Sequence, residues 1–170
     1  MTAYVALLRA INVGGTGKLP MAELTAMCQA AGHKAVRTYI ASGNVVFESS
    51  QSEAAVKADL EKRLAAYAGK PVGVLVRTAA EMAAVRDGNP FPDAPGNRTV
   101  AIFLDAPPPT AALAQAVGRK HERMALGKRE IYVLYDEGMG TSKLRIPAAK
   151  AGTARNLNTV AKLAAMAAAL

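Results

Sequence analysis

The sequence predicts an α+β chain made of two ferredoxin-like βαββαβ-type units in tandem, the second degenerate, with a C-terminal helix. Three observations predict it. Apolar runs of strand length and helical stripes follow one another as βαββαβ over the first 76 residues. The stretch "GNPFPDAPGN" (88–97) then interrupts every periodicity with Pro and Gly, as a linker does. Beyond it the order βαββα begins again. The expected division is a first unit over 1–87, a linker over 88–97 and a second unit over 98–170.

The elements follow in order. "AYVALL" (3–8) is continuously apolar and predicts a buried central strand. Pro20 suits the first turn of a helix whose stripe is Met21, Leu24, Met27, Cys28 and Ala31, with Gly32 at its end. "AVRTYI" (35–40) and "VVFE" (45–48) flank the turn "ASGN" as a hairpin. Ser52 caps a helix with Val56, Leu60, Leu64 and Tyr67 on one side, and Asp59 faces Arg63 one turn on. "PVGVLV" (71–76) is the fourth strand. Thr78 and Glu81 have the spacing of a capping box over a short helix carrying Met82 and Val85. In the second unit, "TVAIFL" (99–104) is a strand and a helix is expected near 110–118. "RMAL" and "EIYVLY" (130–135) form a hairpin, 136–155 is irregular, and the last helix starts near 156. The second unit is thus expected to lack its last strand.

Composition narrows the class. The chain has 170 residues, 51% of them apolar, only 5% aromatic, and no Trp. Small side chains suit helix-on-sheet packing. No apolar run reaches the ~18 residues of a membrane span, so no membrane association is expected. "MTAYVALLR" lacks a basic n-region and is not expected to be a signal peptide. One cysteine excludes an internal disulfide and fits a reducing compartment, so a cytoplasmic location is expected. The net charge of +8 is uneven. Residues 1–118 contribute +2 and residues 119–170 contribute +6. A basic last third attracts phosphate-rich partners, and it is equally the solvated face of a basic protein.

The most suggestive stretch is "LLRAINVGGTGKLPMAEL". It is not a Walker A loop. Asn12 stands where that motif needs its first Gly, and Leu19 replaces the hydroxyl that holds magnesium. The dinucleotide-binding glycine spacing is absent as well. What remains is a glycine-rich strand-to-helix loop with Lys18 near the helix start. Such a loop can present backbone N–H groups to an anion; the same residues also make an ordinary connection. In a βαββαβ unit this loop and the 42–44 turn fall at one sheet edge. Arg9, Asn12, Gly14, Gly15, Lys18, Ser42 and Asn44 are therefore the candidate ligand site. The competing account of Ser-Gly-Asn is local turn chemistry. A secondary basic site gathers Lys143, Arg145, Arg155, Asn156 and Asn158, where Thr153 or Asn156 also serves as a helix cap.

Other chemistry finds little footing. His33 follows a helix-ending Gly, and His121 lies in the charged run "GRKHER". Cys28 sits on an apolar stripe. No Cys, His or carboxylate set has zinc spacing, and Asp136-Glu137 suits a turn better than an acid/base pair. No metal or cofactor is expected. Tyr4, Tyr39 and Phe47 do not reproduce the interleaved aromatics of an RNA-recognition sheet.

"LLRAINVGG", "MAEL", "VRTYIASGNVVF", "NPF", "SKL" and "GTARNLNTVAKL" together resemble the bacterial domain of unknown function 1697 family, from about residue 3 to residue 165. The resemblance implies a two-part α+β fold with ferredoxin-like units. It implies no activity, substrate or catalytic residue. Leu157 departs from it, since an aromatic is expected there in many members. The function expected is binding of a phosphate-bearing or other anionic ligand at loop 10–18 and hairpin 42–44. The alternatives are a weak nucleic-acid-binding module using the basic last third, marked by salt sensitivity, and an enzyme of unidentified reaction.

Overall fold

The computed structural model describes residues 1–10 and 18–170. It divides into two compact units, Met1–Ala83 with Leu163–Leu170, and Ala84–Lys162. Each contains a four-stranded antiparallel sheet, so the α+β class expected from the sequence holds.

The first unit runs β1 (Thr2–Leu8), α1 (Met21–Ala30), β2 (Lys34–Tyr39), β3 (Asn44–Ser49), α2 (Glu53–Ala68) and β4 (Val74–Thr78). Its strand order is β2-β3-β1-β4. The expected βαββαβ order is therefore realised, with β1 and β3 central. Tyr4, Ala6 and Leu8 alternate along β1 and join Val45, Phe47, Val74 and Val76 in one core. Leu24 and Cys28 of α1 and Val56, Leu60 and Leu64 of α2 complete it. Val5 and Leu7 on the other face of β1 are also withdrawn from water, which is why this strand is written as an unbroken apolar run. Ser52 caps α2 by accepting from the Ala55 N–H at 3.2 Å, and Arg63 Nε donates to Asp59 Oδ2 at 2.8 Å.

The boundary between the units falls within α3 (Ala79–Asp87), and the second unit holds β5 (Thr99–Phe103), β6 (Arg123–Leu126), β7 (Glu130–Leu134) and β8 (Thr153–Asn156). The capping box ahead of α3 is present: Thr78 N–H donates to Glu81 Oε1 and Glu81 N–H to Thr78 Oγ1. Then α4 (Leu157–Ala168) follows β8 directly.

Two expectations for this unit change. The helix near 110–118 does not form. Residues 110–115 make turns, with Ala112 N–H donating to Pro109 O and Ala116 N–H to Leu113 O. The stretch lies between a triple proline and Val117, which leaves to pair with Arg145 through both backbone groups at 2.9 and 2.8 Å. Too few residues remain to offset helix nucleation. Conversely, the fourth strand exists. β8 pairs with β5, and the sheet order β6-β7-β5-β8 repeats that of the first unit. The register repeats too: Val5 pairs with Arg77 on β4, and Ala101 pairs with Arg155 on β8. In both copies the fourth strand carries a buried arginine, then a helix cap, then a helix. What degenerates is the helical layer. Ala112, Leu113 and Ala116 from the turns and Leu144, Ile146 and Ala148 from the irregular segment cover the sheet instead.

Candidate functional site

The antiparallel pairing of β1 with β3 and β4 fixes what lies at the end of β1. Leu7 pairs with Asn44, and the Leu8 N–H donates to Gly43 O at 2.8 Å. The Arg9 N–H donates to Gly73 O at 2.8 Å. The end of β1, the 40–43 hairpin and the entry to β4 thus share one rim. Arg9 is exposed, with its stem lying over Gly73. Lys18 is exposed as well, while the adjacent Leu19 is anchored in the core. Asn12, Gly14 and Gly15 lie outside the described residues. α1 starts after Pro20 with no side-chain cap on its first turn.

Backbone strain concentrates at this rim. Three non-glycine residues of the described chain have positive φ, and two of them, Ala10 at 55° and Ile40 at 51°, are here. Gly43 at 86° completes the hairpin, where only glycine adopts the angle at no cost. Asn44 explains how the hairpin is held. It is fully buried, and its amide donates to Tyr39 O at 2.9 Å and to Ser42 Oγ at 2.8 Å. Asn44 thus shapes the rim from inside, the local turn chemistry that the sequence also allowed. Ser42 Oγ, half-buried, accepts that bond.

The secondary basic residues serve mixed ends. Arg155 is buried, its Nη1 donates to Thr153 Oγ1 and Ala154 O at 2.9 Å, and burial pulls its pKa down to about 10. Asn156 is the cap of α4, accepting from the Thr159 N–H at 2.9 Å. Asn158 packs against Gly96, where an added Cβ would meet its Oδ1 at 2.2 Å. Arg145 belongs to the bridge with Val117. Lys143 lines a cavity.

That cavity, of about 290 Å³, lies within the second unit between residues 118–122 and 135–143. Its walls are tied together. Gly118, at φ 73°, sits so close to Lys143 O that a Cβ would meet it at 2.1 Å. Ser142 Oγ donates to Glu122 Oε2 at 2.5 Å, and the Lys120 N–H donates to Glu122 Oε1 at 2.6 Å. The Ser142 hydroxyl and the Lys120, Glu122 and His121 amides together hold the Glu122 carboxyl down at about 2. A carboxylate so stabilised is a poor base for a serine hydroxyl, so this pair braces the walls. Glu137 reaches His121 Nε2 at 3.6 Å and Lys120 Nζ at 3.9 Å, all three well exposed. Burial, and next the Glu122 charge, raise the Tyr135 pKa. Sequence spacing gave no sign of this cavity because two segments build it without a shared motif.

The remaining reactive side chains belong to the first core. Burial pushes the Cys28 thiol up to about 12, with opposing smaller influences of Arg63 and Asp59. A thiol held so firmly protonated is inert. His33 is buried, stacks on Phe47 with ring centroids 4.3 Å apart, and its Nε2 has no hydrogen-bond partner among the described residues. Among the described residues no cluster of His, Cys, Asp or Glu is arranged to hold a metal ion, and no helix is long and apolar enough to cross a membrane.

The family model described as "Protein of unknown function (DUF1697)" matches residues 1–132. The match stops short of "SKL" and "GTARNLNTVAKL". A solved structure covers that last part: the conserved bacterial protein SP0830 from Streptococcus pneumoniae is 26% identical, with a TM-score of 0.78 over 98% of each chain. No curated protein matches the chain.

Proposed function

For a chain that belongs to the DUF1697 family of proteins of unknown function, we propose binding of a small phosphate-bearing or otherwise anionic ligand at the rim of the first sheet. Arg9 and Lys18 supply positive charge, the loop of Asn12, Gly14 and Gly15 supplies backbone N–H groups, and the Ser42–Asn44 hairpin supplies the opposite wall. One observation carries the reading. Two strained non-glycine residues, Ala10 and Ile40, fall on the two chain segments that Leu8 and Gly43 join. Each such residue costs about 1–3 kcal/mol and persists where the surroundings impose it, often beside a ligand. The start of α1, close to Lys18 in sequence and without a side-chain cap, adds first-turn N–H groups of the kind that bind anions.

Thermal unfolding in graded inorganic phosphate, sulfate, nucleotides and sugar phosphates tests this. The expected result is a saturable rise for one of them, about 2.7 kcal/mol at a hundredfold excess over Kd. Lys18→Ala and Arg9→Ala are expected to abolish it. No shift across the panel, or a shift indifferent to both substitutions, would sink the proposal.

A further inference from the structure

We infer that the cavity of the second unit is a separate binding site for a small zwitterion, a molecule of the free amino acid class carrying an ammonium and a carboxylate a few bonds apart. The inference starts from the balance of charge around the cavity. Lys120 and Lys143 line it, and so do Asp136 and Glu137. Glu122 lines it too, but its carboxylate already receives the Ser142 hydroxyl and backbone amides. Those neutral donors fix its orientation in the wall, where its negative charge adds to the acidic side of the lining. Both signs of charge therefore face an occupant: the two lysines with the His121 imidazole, and the Asp136 and Glu137 carboxylates with that of Glu122.

That balance discriminates between ligand classes. A bare phosphate would meet Asp136 and Glu137, and a bare amine would meet the two lysines; like charges brought together in a recess repel. A molecule bearing both charges satisfies both sets. The Glu137 contacts at 3.6 and 3.9 Å are longer than hydrogen bonds and largely exposed, so they are weak and readily exchanged for a ligand's groups. Size agrees. At about 290 Å³ the cavity is at the lower end of ligand sites, room for a small metabolite and too little for a dinucleotide. The Tyr135 ring, half-buried against the core, offers an apolar surface to the ligand's carbon skeleton.

The walls are fixed in advance. The Glu122–Ser142 bond, the Val117–Arg145 bridge and the tight seat of Gly118 against Lys143 join the two segments at three places. A site so braced loses little ordering entropy when filled.

Isothermal titration of the full chain with the common free amino acids tests the inference, with inorganic phosphate as the anion-only probe and putrescine as the cation-only probe. At least one amino acid is expected to bind saturably, and neither single-charge probe is expected to compete. Lys143→Ala, which removes the ligand's carboxylate partner, and Glu137→Gln, which removes an ammonium partner, should each weaken binding about tenfold. Both positions are exposed, and circular dichroism checks that the variants fold. Lys18→Ala should leave this binding unchanged, which separates it from the rim of the first unit. Failure of every amino acid to bind, equal competition by phosphate or putrescine, or indifference to both cavity substitutions would each overturn it.

Discussion

At the scale of single residues, the sharpest feature is Ile40. A β-branched side chain at φ 51° is a backbone outlier, and with half its surface exposed it gains little from packing. Ile40→Gly is expected to stabilise the chain by about 1 kcal/mol, measured by denaturant unfolding, because the strain it removes exceeds the entropy glycine adds to the unfolded state. If the rim binds an anion, the same substitution should weaken that binding by loosening the hairpin. His33 makes the opposite kind of prediction. Burial lowers its pKa from 6.5, against an opposing influence of Asp59 and with a smaller lowering by Arg63. The unfolded chain therefore binds the proton more readily than the folded one. Stability is complete above 6.5 and falls as pH drops below it toward the folded value. His33→Phe, which keeps a ring on Phe47, should flatten unfolding free energy between pH 7 and the onset of carboxylate titration. An unchanged slope would show that His33 does not titrate in the core.

At the scale of elements, the caps tie sequence to structure most directly. Ser52→Ala and Asn156→Ala should each cost about 1 kcal/mol in unfolding free energy, since each removes the side-chain acceptor for a first-turn N–H. Such caps were legible because three-residue spacings are local; the Thr78–Glu81 box formed as its spacing required. Strands with apolar alternation or apolar runs were legible for a similar reason. β8 was not, because its two buried positions are Thr153 and Arg155, so a hydrophobicity pattern misses a strand that pairing with β5 creates. The stretch 110–118 misled in the other direction. Its Ala, Leu and Gln favour a helix, but the Val117–Arg145 bridge and the left-handed Gly118 take its last residues elsewhere. The rim of the first sheet was legible from topology, since an antiparallel β1–β3 pair must bring residue 8 to residue 43. The role of Asn44 inside the hairpin followed only from its burial. The cavity of the second unit depends on contacts between residues twenty apart, such as Glu122 and Ser142, which no periodicity encodes.

At the scale of the whole molecule, the two units carry different acid sensitivities. In the first, His33 titrates against folding below pH 6.5. In the second, Glu122 is held at about 2 against an ordinary value of 4.5. A depressed carboxylate contributes stability that is present above 4.5 and lost as pH falls from there toward 2. Amide exchange followed by mass spectrometry, corrected for intrinsic rate, is expected to show protection in β1–β4 weakening first on acidification. Segments 118–122 and 135–143 should follow only below 4.5. Simultaneous loss in both units would contradict this assignment. Glu122→Gln should leave those segments weakly protected already at neutral pH and remove the step below 4.5, and Ser142→Ala should weaken the protection in part.

Cys28 is the one cysteine of the chain, and it is sealed in the first core with no exposed surface. A colourless disulfide reagent added to the native protein would therefore stay unreacted until that core opens. The burst of thiolate release then counts openings of the first unit without any label having to be engineered, and its rate against reagent concentration tells whether closing outpaces capture. Nature has left a stopwatch in one half of the chain and none in the other.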